Sequence, residues 1–352
     1  QGVAACAMND SLRNLVDDIW YGRHPARLAL LPFSWLYRGV TALRRKVYDS
    51  RLLNVYRAPV PVIVVGNLVA GGAGKTPTVI ALVQALRDAG HVPGVISRGH
   101  GRRAGHAAAV LAHSPAAEVG DEPLLMHRRL GVPVWVARRR IDAARGLCAA
   151  HPEVDVLVSD DGLQHLALQR DVQLVVFDDR GLGNGLLLPA GPLRQPQPTY
   201  VPVNTHVLYN APAPSTPWPG ACAQRRLAGA VALADWWRGA APEMPVLQAL
   251  RGRPLLAAAG MAAPERFFSM LRDAGLQFDT LPLADHHPFV PLPWPPGTPD
   301  VLVTEKDAVK LPHDPAGGTR IWVVALDFQL PEALRAAVLD NLHRLRRRAP
   351  TP

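Results

Sequence analysis

Cysteine is scarce in this 352-residue chain: Cys6, Cys148 and Cys222 are the three, far apart and with no C-x-x-C pair. That excludes a disulfide-stapled scaffold and a cysteine zinc site, and it fits a reducing compartment with inert thiols. Aromatic residues make up only 6%, and no zinc-finger, RNA-recognition or helix-turn-helix pattern occurs, so nucleic acid is the weakest candidate partner. Acidic residues are outnumbered, 29 against 38 Lys and Arg, which leaves a formal charge of +9. The excess points to an anionic partner, such as a phosphate-bearing substrate or an anionic membrane face. No apolar run reaches the roughly 20 residues of a membrane-crossing helix. The candidate, Leu28 to Tyr37, is interrupted by Pro32 and Arg38. Hydrophobic content of 48% with 19% charge marks a globular chain, long enough for two compact domains.

What is present centres on residues 62 to 77. Val62-Ile63-Val64-Val65 reads as a buried strand, the loop Gly66 to Gly74 is glycine-rich, and Lys75-Thr76-Pro77 opens a helix with Val79, Ile80, Leu82, Val83 and Leu86 at helical spacing. Gly71, Gly72 and Gly74 permit positive φ, so the loop from Gly71 through Ala73 to Thr76 can turn several N–H groups toward phosphate oxygens at a helix N-terminus. Lys75 is placed for the β and γ phosphates and Thr76 for Mg²⁺. Pro77 falls in the first helical turn, where its missing N–H costs little. The usual spacing puts a glycine where this chain has Val69, so the loop is an atypical variant.

Upstream, Leu28 to Tyr37 is flanked by Arg23, Arg27, Arg38, Arg44, Arg45, Lys46, Arg51 and Arg57. With Trp20, Trp35 and Tyr37 this suits a segment lying in the lipid headgroup region; a core helix is the plainer reading. No small-residue cleavage site follows, so a signal peptide is not expected. Downstream, Pro93 to Ser97 is a strand opening into the basic loop Arg98-Gly99-His100, suited to phosphate or ribose or simply solvated. Asp121-Glu122 opens a helix, where carboxylates either cap N–H groups or supply a general base. Val154 to Val158 runs into Asp160-Asp161, carboxylates at the C-terminal edge of a parallel strand where one can hold Mg²⁺, and Gln164 and His165 follow. Residues 181–194 are too rich in Gly and Pro for a helix or central strand and read as a long functional loop. Strands are expected at Val132–Val136, Val172–Phe177, Pro254–Gly260, Asp300–Thr304 and Ile321–Leu326, and helices at Pro264–Ala274 and the C-terminus. Asp285-His286-His287 lacks zinc-ligand spacing and reads as a proton-handling pair or a loop hydrogen bond.

These stretches together resemble the tetraacyldisaccharide 4'-kinase family, the lipid A 4'-kinases of Gram-negative bacteria. The matches run in order: Pro32 to Tyr37, Arg57 to Val62, Val65-Gly66-Asn67 through Gly74-Lys75-Thr76-Pro77, Ser97-Arg98-Gly99-His100-Gly101, Gly120-Asp121-Glu122-Pro123, Asp160-Asp161-Gly162-Leu163-Gln164-His165, Gly183-Asn184-Gly185 with Leu188 to Arg194, Asp285 to Phe289, and Val303 to Lys310. The resemblance implies transfer of the γ-phosphate of ATP, with Mg²⁺, to the 4'-hydroxyl of a tetraacylated glucosamine disaccharide 1-phosphate, at the cytoplasmic face of the bacterial inner membrane. By motif, Asp121 would be the base with His286 as its partner and Lys75 on the phosphates. Thr76, Asp160 and Asp161 would serve the metal. Glu122, Arg140, Arg98, His100, Gln164 and His165 would support the substrates. Two departures stand out: His100 where the family more often has Tyr, and Gln195 where an acidic residue often follows Arg194.

The expected architecture is α/β: a P-loop NTPase-like, mostly parallel sheet flanked by helices, with a smaller C-terminal α/β domain and an N-terminal membrane-associated helix. The expected boundaries are a membrane-associated segment at 1–57, the kinase domain at 58–210, a proline-rich linker or insertion at 211–250, and the C-terminal domain at 251–352. No nucleic acid and no obligate protein partner is inferred. The alternative function is a P-loop ATPase acting as a switch or partner-binding module; such ATPases carry a second Lys before the double glycine, where this chain has Ala70.

Overall fold

The computed structural model describes residues 14–50, 52–102, 105–313 and 318–348. Cys6, Arg51 and the first thirteen residues of the N-terminal segment lie outside them. The chain divides into two compact units, one bounded by Gln1–Lys75, Asp161–Ala223 and Pro331–Pro352, the other by Thr76–Asp160 and Gln224–Leu330. Strands β1 (Val62–Gly66), β2 (Pro93–Ser97), β3 (Ala108–Ala109), β4 (Val134–Val136), β5 (Val156–Asp160), β6 (Val172–Asp178), β7 (Thr205–Asn210) and β8 (Ala221–Cys222) precede β9 (Gln224–Ala232), β10 (Leu255–Ala259), β11 (Asp279–Pro282), β12 (Asp300–Thr304) and β13 (Arg320–Gln329).

In the first unit the strands run in the order β1-β6-β7-β8 and every pairing is parallel, with Ile63 opposite Val172 and Gln173 opposite Thr205. All five residues of β1 are buried, the pattern of a parallel strand covered on both faces. The helix Glu332–Arg348 packs on β6 through Leu334, Val338 and Leu342, spaced four apart and all buried. The helix Ala26–Asp49 is different: Ser34 is its only buried residue. Ser34 Oγ donates to Leu187 O at 2.8 Å and accepts from Ala190 N at 3.0 Å, and Tyr37 OH donates to Arg194 O at 2.9 Å. Polar contacts thus fasten the helix to the Gly- and Pro-rich loop 187–194. That loop has no helix or regular strand, and Asn184 Nδ2 donates to Ala190 O across it at 2.8 Å.

The second unit holds two strand sets. One runs β3-β4-β2-β5, parallel except for β3, with Val95 opposite both Val134 and Val158. The other runs β11-β10-β12-β13-β9, parallel except for β9, which lies antiparallel to β13. Its core gathers Leu255, Ala257, Leu302 and Val324 from the strands and Phe267, Phe268 and Leu271 from the helix Pro264–Asp273. Each large apolar side chain so buried contributes about 1.5–3 kcal/mol. Five strands are not singled out by apolar runs: the short β3, β8 and β11, and the longer β7 and β9. Thr205-His206 and Gln224-Arg225-Arg226 open β7 and β9 with polar residues, and β9 lies at the edge of its set, where one polar end is tolerated. Residues 211–220, the proline-rich run, carry no helix or strand.

Candidate active site

The first unit carries the glycine loop. β1 delivers the chain to Asn67, fully buried, whose Nδ2 donates to Gly71 O at 3.1 Å. Gly71 and Gly74 hold φ of 103° and 85°, the left-handed region that side chains resist. A Cβ on Gly74 would stand 2.0 Å from the Asn210 amide, which itself donates to Ala73 O at 3.2 Å. Ala73 is buried while Gly71 and Gly72 are exposed. The irregular first position has a packing reason: Val69, buried, bridges Leu193, and Ala70 N donates to Pro192 O at 2.7 Å. Loop 187–194 therefore braces the glycine loop where a glycine would otherwise open it.

Lys75 Nζ donates to Gly71 O at 3.4 Å and Asn67 Oδ1 at 3.5 Å, and lies 3.8 Å from Asp161 Oδ1. Asp161, at φ 49°, is also gripped by Arg194, whose Nη1 reaches the two carboxylate oxygens at 2.9 and 3.1 Å and Gln164 Oε1 at 3.4 Å. Gln164 Nε2 donates to Asn67 O at 3.2 Å and lies 3.5 Å from Gln195 Oε1, so the residue in place of the usual acid takes part as an amide. His165 is half-buried in the turn that follows Gly162. Arg180, paired with buried Asp178 at 2.8 Å, stands beside Gly71.

In the second unit Thr76 and Pro77 lie in the first turn of the helix Lys75–Asp88. Asp160 ends β5, only 8% exposed. Its Oδ2 accepts from Ser97 Oγ at 3.1 Å, and its carbonyl accepts from buried Arg140 at 2.8 Å. Arg140 thus belongs with Asp160, while Glu122 belongs to the group around Asp121. Arg98 is exposed in the loop after β2.

Asp121 is the first residue of the helix Asp121–Leu130, preceded by Gly120 at φ 96°. A Cβ there would meet the Gly99 backbone at 3.0 Å, so only glycine lets the two loops approach. Asp121 Oδ2 lies 2.9 Å from His286 Nδ1, joining residues 165 apart in the chain. His286 Nε2 is 3.8 Å from Glu122 Oε1 and 3.9 Å from Asp285 Oδ2. The exposed His100 ring tilts toward the His286 ring at a centroid distance of 5.3 Å. Lys306 Nζ closes the group, 2.8 Å from Glu122 and 3.1 Å from Asp285. Burial opposes its charge, but those two carboxylates outweigh it and hold the ammonium above the ordinary lysine value.

The hydrogen bond to Asp121 raises His286 above the ordinary imidazole value; burial and Lys306 oppose the rise, while Glu122 and Asp285 add to it. A raised folded-state value means the pair's contribution to stability is fully present below the unfolded value of about 6.5 and is lost as pH rises through the folded one. Thermal melts should therefore separate wild type from His286→Gln most at about pH 5.5 and least at about pH 8.5. A separation that does not change with pH would contradict an ionised pair.

Asn67, Arg194, Lys306 and Lys310 stand within the motifs without a role assigned to them there, and Arg180 and Asn210 lie outside the motifs. Arg180 and Lys306 each stand two residues past a strand end, a signal along the chain; what each cation faces is a tertiary matter. Chemically, the first unit offers backbone amides, a lysine and hard oxygen donors, the set that receives a nucleotide's phosphates. The second offers a carboxylate bound to an imidazole, the set that accepts a proton from a hydroxyl.

Known proteins match this chain over most of its length. The family profile described as tetraacyldisaccharide-1-P 4'-kinase matches residues 26–343. A tetraacyldisaccharide 4'-kinase of Leptothrix cholodnii is 53% identical over 337 residues, covering 95% of this chain and 97% of that protein. The protein of the same name from Methylibium petroleiphilum is 55% identical over 327 residues, covering 92% and 91%. Among solved structures, LpxK from Aquifex aeolicus, in complex with ATP, superposes with a TM-score of 0.71 at 25% identity over 90% of this chain and 99% of that one. With most of its length matched at this identity, and the glycine loop and the Asp121–His286 pair within the matched span, the chain belongs to the tetraacyldisaccharide 4'-kinase family.

Proposed function

We infer that this protein transfers the γ-phosphoryl group of ATP to the 4'-hydroxyl of an acylated glucosamine disaccharide 1-phosphate, working at a membrane surface. The observation that carries the reading is the Asp121–His286 hydrogen bond of 2.9 Å, which presents a buried carboxylate with an imidazole partner in a chain that also bears a phosphate loop. Glycine-loop amides and Lys75 hold the nucleotide phosphates. Thr76 and Asp160 in the second unit, and Asp161 in the first, each offer a hard oxygen donor of the kind Mg²⁺ takes, an ion held by one or two carboxylates together with nucleotide phosphates and water. Bound there, Mg²⁺ would neutralise charge on the phosphates.

In the transfer the sugar oxygen forms a bond to the γ-phosphorus, the bond from that phosphorus to the bridging oxygen breaks, and ADP leaves with the bridging electron pair. Asp121 accepts the hydroxyl proton, and His286 orients the carboxylate and disperses its charge. Arg194 and Lys75, both on Asp161, keep that carboxylate fixed.

The helix Ala26–Asp49 supports a surface location. Phe33, Leu36, Val40 and Leu43 share one face and are 58–68% exposed; Arg38 lies among them in sequence and Arg44, Arg45 and Lys46 follow directly. An apolar stripe with neighbouring cations suits the headgroup region of an anionic leaflet. Among the described residues no helix is long and apolar enough to cross a membrane. The cytoplasmic face of a Gram-negative inner membrane is the location that fits both this helix and a nucleotide substrate.

The test is radiolabelled ATP with the tetraacylated disaccharide 1-phosphate, in detergent micelles and on anionic vesicles. Labelled lipid and ADP should form only when the acceptor is present, and the protein should sediment with the vesicles. ATP hydrolysis without acceptor and without labelled lipid sinks the kinase reading, and protein left in the supernatant sinks the surface location.

A further inference from the structure

Lys310 lies in the second unit just past the short helix Glu305–Ala308. Its side chain is only 5% exposed, an unusual place for an ammonium group. Its Nζ donates to Asp307 Oδ1 at 2.8 Å and lies 3.8 Å from Asp121 Oδ2. Asp307, fully buried, is itself fixed: its Oδ2 accepts from Gly260 N at 3.0 Å and Thr304 Oγ1 at 2.8 Å. Thr304 in turn caps the helix by accepting from Asp307 N. The ammonium also sits 4.9 Å from the centre of the Phe289 ring, within reach of a cation–π contact. The Asp307 that fastens this lysine is thus itself held, and among the described residues the lysine's further neighbour of opposite charge is the carboxylate bound to His286.

We propose that Lys310 is a positioning residue for phosphoryl transfer: anchored by Asp307, its ammonium holds the Asp121 carboxylate in the orientation in which it takes the acceptor's proton. The inference rests on Asp121 being that proton acceptor. The contact is too long for a hydrogen bond, so Lys310 acts through charge and leaves the oxygen's lone pairs to His286 and the substrate. Lys306 does a different job on the imidazole side, where it neutralises Glu122 and Asp285 near His286 Nε2. Also near these groups are His100, against the His286 ring, and His287, which burial and Lys310 together push below the ordinary imidazole value.

The experiment compares wild type, Lys310→Ala, Lys310→Met and Lys310→Arg in acceptor-dependent ADP release, with Asp121→Asn run alongside. Lys310→Ala should lower kcat by about 10- to 100-fold, the scale of losses when a side chain that orients a reacting group is removed, with KM for ATP unchanged. Ethylammonium added to Lys310→Ala should restore turnover with saturation, while 1-propanol of similar size should not, and Lys310→Arg should recover part of the loss. If Lys310→Ala melts below the assay temperature, Lys310→Met carries the test, since its stem still covers Phe289 while the charge is gone. An active Lys310→Met, or rescue by propanol as good as by ethylammonium, overturns the proposal and leaves Lys310 as packing. If Asp121→Asn keeps wild-type kcat, the assignment of Asp121 fails first; if it is impaired while Lys310→Met is not, only the role of Lys310 falls.

Discussion

Asp121→Asn is expected to lower kcat about a thousandfold while leaving KM for ATP within about twofold, because a positioned general base supplies roughly 10²–10⁴ of rate and binds no part of the nucleotide. Asparagine keeps the shape and one acceptor oxygen for His286 but not the charge that takes the proton. A thousandfold loss is about 4 kcal/mol of transition-state stabilisation. The companion change His286→Gln should cost less, since it removes the carboxylate's partner and leaves the carboxylate. The double variant should be little worse than Asp121→Asn alone, as residues that work as one unit are not additive. Steady-state rates with saturating acceptor measure all three, and thermal melts verify that each is folded. Equal and additive losses would mean that the two residues, 2.9 Å apart, act independently.

The second large effect belongs to Lys75. Lys75→Met should reduce kcat/KM for ATP by about 10²–10³, the typical cost of deleting one preorganised charge donor at a reacting phosphate. The protein itself should tolerate the change. Among the described residues Lys75 makes long contacts, 3.4–3.8 Å, with Gly71, Asn67 and Asp161, and Asp161 keeps Arg194 at 2.9 Å. Lys75→Arg should not restore activity, since a planar guanidinium does not replace a compact ammonium inside a glycine turn. Nucleotide titration by calorimetry alongside turnover separates binding from chemistry. Undiminished turnover in Lys75→Met would remove the phosphate role from this loop.

Part of this design is legible along the chain because it is local. The strand Val62–Gly66, the glycines at 71 and 74 and the helix from Lys75 occupy one continuous stretch, and positive φ, helix N-terminal amides and side-chain periodicity are properties of neighbouring residues. The same holds for Asp160 at the end of a β-branched run and for the helix Pro264–Asp273. The strands β7 and β9 are less legible: their first residues are polar, and their pairing partners on β6 and β13 lie 32 and 90 to 105 residues away.

The sequence by itself determined a strand, glycine loop and helix in series, the positions of the acidic strand ends, an apolar and basic N-terminal helix, and through its motifs the kinase family to which the chain belongs. Tertiary structure alone decided what those residues face. It set His286 on Asp121 across 165 residues, Arg194 on Asp161 across 33, and Lys310 between Asp307 and Asp121. It also gave Val69 its reason, a bridge to Leu193 that replaces the expected glycine. The division follows from range. Backbone conformation and periodicity are fixed by adjacent residues, whereas the neighbour of a buried charge is fixed by the packing of segments distant in the chain, and one-dimensional spacing holds no measure of that distance.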